Sequence, residues 1–338
     1  MGLSVTVVGG GNWGTALANH LAKLGKNPSL VAKDSKVVEA INKSHVNPKY
    51  LPSTKLHSEL RASTEKTELI KKADVIVIAI PCQTWRSYLE KQKKYFNGRQ
   101  IIVSCSKGIE NESLKLISEV VDEILPSNIA NNFTTLAGPS FAKEVLEEQP
   151  TAVTVAGKDN SCVETIQNLF HGKNLRVYSS SDLIGVEISG ALKNVVAIAT
   201  GIADGLGFGY NSRAALITRG LAEILRIGLA KGAQTETLLG LSGVGDLVLT
   251  CTGELSRNRT VGFRLGKGEI LQDILTSLGQ VSEGVTTTKS AYYLTKKLKI
   301  ETPIIDEIYK ILYEDKQAIE SLQSLMERHI RPETEIKR

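Results

Sequence analysis

The chain has 338 residues, and its 41 Lys and Arg exceed its 36 Asp and Glu by a net charge of +5. This charge is too small for a nucleic-acid surface, no apolar run is long enough to span a membrane, and the cysteines and histidines lack metal-ligand spacing. We therefore expect a two-domain protein with reduced thiols and with no metal, nucleic-acid partner or membrane insertion. A cytoplasmic location is expected because no leader precedes the first strand pattern.

The chain opens with a β-rich run followed directly by a glycine-rich turn. Residues 4–8 lead into Gly9, Gly11 and Gly14 in the order G-x-G-x-x-G, and an amphipathic helix follows. The first glycine permits a tight turn, the second lets the backbone approach a pyrophosphate, and the third lets helix and strand pack closely. The pattern predicts a dinucleotide at the helix N-terminus, although other nucleotides, including S-adenosylmethionine, fit the same turn.

Residues that flank the first helix and the second strand refine this prediction. Asn12 can cap the helix and Gly25 can end it in the left-handed conformation. The second strand, at residues 30–32, is followed by Lys33 and Asp34. An acidic residue here favours the ribose 2′-hydroxyl of NAD, whereas a cation accepts the 2′-phosphate of NADP. Lys33 therefore favours NADP, and Asp34 leaves NAD open.

Apolar strands and helices alternate up to residue 181. Further strands are predicted at 73–81, 100–105, around 133, around 150 and at 175–181, with crossover helices at 85–95 and 113–125. This order predicts a doubly wound (Rossmann-like), mostly parallel sheet that binds ligands beyond the carboxyl ends of its strands. The polar segments 106–110 and 138–144 follow two of those ends. Lys107 is thus placed to meet an anionic ligand, although a lysine in a loop is often only solvated.

From residue 182 onward the pattern becomes helical. Asp182 can cap a long apolar helix, residues 205–211 break it, and a second long helix is predicted from 212 to about 231. Small residues recur through both helices, which predicts a closely packed, buried hairpin. We place the domain boundary here, with a dinucleotide-binding domain at 1–183 and an all-α substrate and catalytic domain at 184–338.

One cation, Lys193, interrupts a segment built otherwise almost entirely from apolar and small residues. That segment, 185–201, leaves no polar face wide enough for a surface helix, so Lys193 is predicted to be buried. Desolvation lowers the pKa of a buried lysine and can make it a proton donor or acceptor near neutral pH. The alternative is a lysine whose ammonium reaches solvent along its alkyl stem.

Three polar features follow in the helical half. Asp246 and Thr250 are four residues apart and share one face if they are helical. Residues 256–259, SRNR, form a donor cluster suited to phosphate, and the alternative is a solvated helix start capped by Ser256. Residues 281–288 are predicted to be a polar loop.

Together, seven segments resemble the NAD(P)-dependent glycerol-3-phosphate dehydrogenases of the bacterial type. Between about residue 5 and about residue 312 they are GGGNWGTALA, SKGIE, GPSFAKEV, GVEISGALKNVVAIATGIADGLGFG, NSRAALITRGL, GVGDLVLTC and SRNR. That family reduces dihydroxyacetone phosphate to sn-glycerol 3-phosphate for phospholipid synthesis. The resemblance implies a small-molecule phosphate substrate and NADP or NAD as cofactor, with NADPH favoured by Lys33, and related folds suggest a homodimer.

The resemblance also implies roles for matched positions. Lys193 looks like the residue that accepts a proton in glycerol 3-phosphate oxidation and donates it in reduction. Substrate contacts are expected at Lys107, Gly138, Ser140, Lys193, Asn194, Asp246, Thr250, Ser256, Arg257 and Asn258. Cofactor contacts are expected at Gly9, Gly11, Asn12, Trp13, Gly14, Lys33, Tyr50, Lys107, Ala142, Arg257, Val281 and Glu283. Asn194 must then reach the same cavity as Lys193.

Three positions depart from the family's common pattern. Asn12, Val31 and Lys33 stand where the family commonly has Ser, Trp and Arg. Lysine keeps the charge of arginine but loses its planar fork, so the preference between NADP and NAD stays open. Two rival functions remain: another two-domain dehydrogenase acting on a β-hydroxyacid or keto acid, which Lys193 alone would suit, and a redox-silent NADP-binding sensor, which would need no buried lysine.

Overall fold

The computed structural model describes residues 2–279, 282–330 and 332–333. Its strands are β1 (Val5–Val8), β2 (Ser29–Val31), β3 (Val46–Asn47), β4 (Leu51–Lys55), β5 (Arg61–Ser63), β6 (Val75–Ile78), β7 (Ile101–Ser104), β8 (Phe133–Ala137), β9 (Thr151–Gly157) and β10 (Leu175–Ser180). Its helices in the first half are α1 (Asn12–Lys23), α2 (Ser35–Ser44), α3 (Thr67–Lys72), α4 (Trp85–Gln92), α5 (Ile117–Ile124), α6 (Ser127–Ala130), α7 (Ala142–Leu146) and α8 (Asn160–Phe170). Those in the second half are α9 (Leu183–Gly205), α10 (Tyr210–Ala230), α11 (Thr235–Leu238), α12 (Asp246–Thr252), α13 (Arg257–Gly266), α14 (Leu271–Leu278), α15 (Glu283–Leu298), α16 (Pro303–Tyr313) and α17 (Ala318–Met326). Short 3₁₀ turns cover Cys82–Thr84 and Lys93–Tyr95, and a π-helical turn covers Leu241–Gly245.

The main sheet has the strand order β10-β9-β8-β7-β6-β1-β2-β5. Neighbouring strands are parallel except β8 and β9, which pair antiparallel, so β9 and β10 run against the rest. Every residue of β1, β6 and β8 is buried, as expected for strands covered by helices on both faces. The predicted doubly wound, mostly parallel sheet with a helical second half is confirmed.

The glycine turn after β1 shows why two of its glycines are needed. Gly9 has φ of +120°, and a Cβ there would lie 2.3 Å from the carbonyl oxygen of Ala79. A Cβ on Gly14 would lie 2.0 Å from the Gly9 carbonyl oxygen, whereas open space surrounds the Cβ position of Gly11. The turn therefore packs tightly on the sheet side and leaves the backbone at Gly11 accessible.

The ends of α1 agree with the sequence prediction at one end only. Gly25 adopts φ of +70° and its amide donates to the carbonyl of Ala22 at 2.9 Å, so the predicted left-handed stop is confirmed. The predicted Asn12 cap is wrong, because Gly11 is the N-cap and Asn12 is already the first helical residue.

Several other local predictions are corrected. The strands β3, β4 and β5 lie where no strand was predicted. The helix predicted from residue 113 begins at Ile117, and the predicted polar loop at 281–288 is the first turn of α15 from Glu283 onward. The predicted caps of α9 by Asp182 and of α13 by Ser256 are confirmed, since each side chain accepts a hydrogen bond from a backbone amide of the first turn.

Helix α9 forms the centre of the helical half. Nearly all of its residues are buried, including Lys193. By length and composition α9 could cross a membrane, but 94 % of its 18-residue apolar stretch is buried inside the protein. The stretch from α11 to α13 is long and apolar enough only when its helices are taken together, and they are bent by 46°. Such features are weak evidence for a membrane span because core helices share them.

The closest helix approach differs from the prediction. A Cβ on Gly201 or Gly205 of α9 would lie 2.2 Å from a carbonyl oxygen of α13, and one on Gly262 of α13 would lie 2.1 Å from a carbonyl oxygen of α9. The two backbones are therefore in direct contact. The predicted buried hairpin of α9 and α10 is only partly right, because α10 packs on α9 through one face and exposes the other.

The chain changes from strand to helix between β10, which ends at Ser180, and α9, which begins at Leu183. The domain boundary placed at residue 183 coincides with this change and stays a prediction.

Candidate active site

A cleft of about 1520 Å³ lies beyond the carboxyl ends of β1, β2, β6, β7 and β8, facing the helical half. It is lined by most of the predicted site residues: Gly9, Gly11, Asn12, Trp13, Gly14, Lys33, Tyr50, Lys107, Ser140, Ala142, Lys193, Asn194, Asp246, Thr250, Ser256, Arg257, Asn258 and Glu283. Residues that are far apart in the sequence thus meet in one cavity, at the edge of the sheet where ligands of doubly wound folds bind.

Two predicted site residues are not among those that line the cleft. Gly138 has φ of +149°, and a Cβ there would lie 2.8 Å from the Cα of Val153. Its carbonyl oxygen accepts a hydrogen bond from Ser140 Oγ at 3.1 Å, so Gly138 shapes the turn that carries Ser140. Val281 lies outside the described residues.

Lys193 lies at the bottom of the cleft, in the middle of α9. Its side chain is 6 % exposed, so the alternative of a lysine that extends to solvent is wrong. The ammonium donates to Asp246 Oδ1 at 2.7 Å and to Thr250 Oγ1 at 2.5 Å. A buried ammonium is stable only with such partners.

Asp246 is shared between two lysines. Its Oδ2 accepts from Lys107 Nζ at 2.7 Å, while its Oδ1 accepts from Lys193. Both Asp246 and Thr250 lie on α12, and Thr250 Oγ1 is 2.6 Å from the Asp246 carbonyl oxygen, so the predicted shared helical face is confirmed. The loop after β7 and the helices α9 and α12 therefore meet at one carboxylate.

Burial and this shared carboxylate set the charge state of the site. Burial lowers the pKa of Lys193 to about 8, and Asp246 opposes this shift while Lys107 adds to it. Burial alone would raise the pKa of Asp246, but the two lysines outweigh that effect and hold it below its usual range. At neutral pH Asp246 is thus ionised, and Lys193 can both give and take a proton.

Asn194 reaches the same cavity as Lys193, as predicted from the sequence. It is buried, and it lines the same cleft as Lys193, with its amide nitrogen 3.5 Å from the Gly190 carbonyl oxygen. Asn258 also lines the cleft, and its side-chain oxygen accepts from Ser282 Oγ at 2.7 Å and from the Gly284 amide at 2.9 Å. Asn258 therefore ties α13 to the start of α15.

The two arginines of the SRNR segment have different surroundings. Arg257 lines the cleft. Arg259 instead pairs with Asp204, whose side chain is 6 % exposed and which also binds Arg213. Of the four donors in this segment, Ser256, Arg257 and Asn258 therefore line the cleft, and Arg259 joins helices behind it. Ser256 is buried as well as being a helix cap, so the alternative of a solvated helix start is wrong.

The cleft is rich in cations. Within the described residues it is lined by eight Lys and Arg side chains and three Asp and Glu side chains. Sequence reasoning missed the lining residue Lys66, which follows β5, because a three-residue strand gives almost no periodic signal. This excess of positive charge suits a ligand with several phosphates.

The nucleotide end of the cleft lies beside β2 and β5. The two strands pair in parallel, and the Ala32 amide donates to the Ser63 carbonyl at 3.0 Å, so Lys33 and Lys66 follow neighbouring strand ends. Asp34 caps α2 by accepting from the Lys36 amide at 3.1 Å, and its other oxygen is 3.8 Å from Lys49 Nζ. Asp34 thus already accepts one hydrogen bond and lies near one cation.

Glu283 lies at the start of α15 on the cleft wall. Burial raises its pKa to about 7, and a hydrogen bond from the Cys82 amide and the nearby Arg257 cation oppose this rise. Its Oε2 has no hydrogen-bond partner within the described part of the chain. A buried acceptor that faces a cleft fits a ligand that donates a hydrogen bond.

The described residues contain no cluster of three His, Cys, Asp or Glu side chains suited to a metal. A dinucleotide does fit: the accessible Gly11 backbone lies at the N-terminus of α1, and lysines lie at the far end of the same cleft.

Comparison with known proteins also indicates a dinucleotide-dependent enzyme. Family models described as NAD-dependent glycerol-3-phosphate dehydrogenase N-terminus and C-terminus match residues 4–163 and 182–323. The glycerol-3-phosphate dehydrogenase (NAD(P)+) of Syntrophotalea carbinolica is 48 % identical over 98 % of this chain and 99 % of its own, and that of Leptospira biflexa is 47 % identical over the same shares. The crystal structure of glycerol-3-phosphate dehydrogenase from Coxiella burnetii matches with a TM-score of 0.91 at 37 % identity, covering 97 % of this chain and 99 % of that one.

Proposed function

The chain belongs to the NAD-dependent glycerol-3-phosphate dehydrogenase family, and from this premise we propose that it interconverts dihydroxyacetone phosphate and sn-glycerol 3-phosphate with NADPH or NADH. The observation that carries the proposal is the buried Lys193 ammonium bound to Asp246, in the same cleft as the glycine turn and Arg257. A ketone that is reduced to an alcohol needs a proton donor beside its oxygen.

The cofactor would be held by the glycine turn, with Asn12, Trp13, Tyr50, Ala142 and Glu283 as further contacts. The backbone at Gly11 and the N-terminus of α1 suit the pyrophosphate. When bound, the nicotinamide supplies or takes up the hydride.

Lys193 is proposed to donate a proton to the substrate oxygen in reduction and to accept one in oxidation. With a pKa of about 8, roughly 90 % of Lys193 is protonated at pH 7, which suits the reductive direction. Asp246 keeps the ammonium in place and prevents burial from lowering its pKa further.

Arg257 and Lys107 are proposed to hold the substrate phosphate from opposite halves of the fold. The planar arginine fork matches a phosphate in two hydrogen bonds, and Lys107 is 20 % exposed toward the cleft. Ser140, Asn194, Thr250, Ser256 and Asn258 are proposed as further substrate contacts, with Gly138 setting the turn beneath Ser140.

This pair of cations also separates the proposal from its rivals. A β-hydroxyacid or keto acid would use Lys193 as proton donor, and one further cation would be enough to bind its carboxylate. A redox-silent sensor would have no use for a buried lysine whose pKa lies near neutrality. Arg257 and Lys107 together favour a phosphate monoester.

We further propose that NADPH is preferred over NADH. Lys33 and Lys66 line the cleft at neighbouring strand ends, and Asp34 is occupied by α2 and Lys49. A 2′-phosphate would meet two cations here, whereas a 2′-hydroxyl would have to share Asp34 with α2 and Lys49.

The cofactor preference is tested by kcat/KM for both cofactors in Lys33→Ala and Lys66→Ala variants. Each change should lower kcat/KM for NADPH by about tenfold and leave the value for NADH within about twofold, because one charge-assisted hydrogen bond to phosphate is lost. Lys36→Ala, an exposed lysine outside the cleft, is the matched control. Equal losses with both cofactors would contradict the assignment.

We also propose a cytoplasmic location, a small-molecule substrate without a nucleic-acid partner, a homodimer, and supply of glycerol 3-phosphate to phospholipid synthesis. The burial of α9 supports the cytoplasmic location, and the near balance of charge supports a substrate without a nucleic-acid partner. The exposed face of α10 supports a surface for a second copy of the chain. Light scattering of the purified chain tests the dimer.

The decisive experiment for the main proposal follows NADPH and NADH absorbance with dihydroxyacetone phosphate as substrate. Dihydroxyacetone, which lacks the phosphate, is the matched control. We expect rapid oxidation of the cofactor with the phosphate ester and a far slower rate without the phosphate. No turnover with the ester, or equal rates with both ketones, would overturn the proposal.

A further inference from the structure

Lys107 reaches Asp246 from a loop. It lies in the loop after β7, residues 105–116, and the next residue, Gly108, has φ of +148° with room for no side chain, since a Cβ would lie 2.8 Å from Cys82 Cβ. A lysine side chain has four rotatable bonds, so its ammonium stays on Asp246 only if the backbone beneath it is fixed. The structure shows what fixes it.

The tip of the loop is inserted into the helical half. Ile109, two residues after Lys107, is fully buried in the core formed by α9 and its neighbours. Its carbonyl oxygen accepts from Gln83 Nε2 at 2.8 Å and from Ser290 Oγ at 2.9 Å. The Gln83 side-chain oxygen accepts from the Asn111 amide at 2.9 Å. The side-chain amide of Gln83 therefore binds the backbone of the loop at the residues directly before and after Glu110.

Glu110 itself is held by an arginine fork. Arg86 Nε and Nη2 donate to Glu110 Oε1 and Oε2, each at 2.9 Å, and the Ser113 hydroxyl also donates to this carboxylate. Burial would raise the pKa of Glu110, but Arg86 and Ser113 outweigh it and lower the pKa. Such bidentate, charge-assisted pairs are among the strongest and most directional hydrogen bonds in proteins.

We propose that Gln83, Arg86 and Glu110 form a positioning clamp that holds Lys107 against Asp246 and the substrate. None of the three lines the cleft, so they act through Lys107 and are not catalytic residues. The proposal rests on the proposed function for its kinetic consequences. It also predicts a property of the protein without substrate, because Lys193 faces Asp246 and Cys251 of α12 together with Lys107 of the loop, and a displaced Lys107 changes those surroundings.

The direction of that change follows from the charges. The Lys107 cation lowers the pKa of Lys193. If the clamp is broken and Lys107 moves away, Asp246 interacts with Lys193 alone, and the pKa of Lys193 rises. Loss of burial would also raise this pKa, so the comparison is made in variants whose thermal stability matches that of the wild type.

The test compares Glu110→Gln with Glu123→Gln. Glu123 binds the same Arg86 Nη2 at the same 2.9 Å, but it lies on α5, and its other partner is Lys115 at the far end of the loop from Lys107, which makes it a matched control. Glu110→Gln should raise KM for dihydroxyacetone phosphate by about tenfold, with a smaller change in the KM for NADPH, since Lys107 is displaced while the glycine turn is untouched. The alkaline limb of the pH profile for reduction should move up by about half a unit or more. Glu123→Gln should resemble the wild type.

Three further measurements separate the possible outcomes. In a Lys107→Met background, Glu110→Gln should have little further effect on KM, as expected for residues that act through one another. If Glu110→Gln fails to fold, Arg86→Lys, which keeps the charge and loses the fork, provides the same comparison. The pH dependence of Lys193 labelling by reductive methylation, followed by peptide mass spectrometry, reports its pKa without any substrate.

The outcomes distinguish this proposal from the function on which it rests. A folded Glu110→Gln variant with wild-type KM and wild-type Lys193 labelling, beside an impaired Lys107→Met variant, overturns the clamp alone. Absence of wild-type turnover with dihydroxyacetone phosphate overturns the function, and a shifted labelling pKa in Glu110→Gln would then still support the clamp.

Discussion

Replacing Asp246 with asparagine removes the carboxylate that Lys193 and Lys107 share. Asparagine has nearly the same shape and can still accept a hydrogen bond from Lys193, so the change isolates the charge. Both ammonium groups would then face each other across a buried site without a counterion. Loss of a proton from Lys193 relieves this repulsion, and its pKa must therefore fall.

The size of the effect follows from the distance. With Lys193 Nζ 2.7 Å from Asp246 Oδ1, the carboxylate charge is centred at about 4 Å, where a unit charge contributes about 4 kcal/mol at an effective dielectric of about 20. Allowing for the retained hydrogen bond, a loss of about 2.7 kcal/mol corresponds to a fall of roughly two pH units. From a wild-type pKa of about 8, the protonated fraction of Lys193 at pH 7 drops from roughly 90 % to roughly 10 %.

The assay is the pH profile of dihydroxyacetone phosphate reduction by NADPH. In Asp246→Asn the alkaline limb should move down by roughly two pH units, with about a tenfold loss of kcat at pH 7 and partial recovery at lower pH. Oxidation of glycerol 3-phosphate uses the neutral amine, whose fraction at pH 7 rises in this variant, so the oxidation rate should not fall with the reduction rate.

Asp204→Asn serves as the control for this change. Asp204 is another buried carboxylate shared by two cations, Arg213 and Arg259, but it does not line the cleft. Its replacement should lower thermal stability without moving the limb. An unmoved limb in a folded Asp246→Asn variant would show that Lys193 is not the group titrating in turnover, and the reasoning would fail.

Three further changes test separate parts of the structure. Lys193→Ala should abolish turnover while NADPH binding, measured by fluorescence titration, stays nearly intact, and a variant that kept most of its rate would exclude Lys193 as proton donor. Arg257→Ala should mainly raise KM for dihydroxyacetone phosphate, by about tenfold to a hundredfold, and an unchanged KM would remove Arg257 from the phosphate site. Gly201→Ala should lower the unfolding free energy, measured in denaturant melts, by about 3 kcal/mol, because its Cβ would lie 2.2 Å from the Arg259 carbonyl oxygen. Gly209→Ala, with open space around its Cβ, should change stability little, and similar losses in both variants would contradict the contact between α9 and α13.

Residues with strong local context could be predicted from the sequence. The burial of Lys193 followed from a segment with no polar face, and the glycine turn followed from its position between a strand and a helix. The shared face of Asp246 and Thr250 followed from helical spacing alone. In each case the signal lay within one element, where periodicity is informative.

Features that depend on packing between elements could not be predicted. Arg257 and Arg259 are two residues apart in the sequence, so on a helix they lie about 200° apart around the axis, and only the fold decides which one faces the cleft. The first turn of α15 has low intrinsic helix propensity in its threonines, and it becomes helical with Thr287 and Thr288 fully buried against neighbouring helices. The exposure of one face of α10 could not be predicted either, because it depends on how the helices are arranged around α9.

The contact between α9 and α13 has a consequence for how this site can change over time. Lys193 and Arg257 lie on the two helices, and those helices meet through main-chain atoms at Gly201, Gly205 and Gly262. Their separation is therefore set by main-chain atoms and not by side-chain size at the contact. Substitutions of side chains along the cleft therefore leave this backbone contact between the helices that carry Lys193 and Arg257 in place.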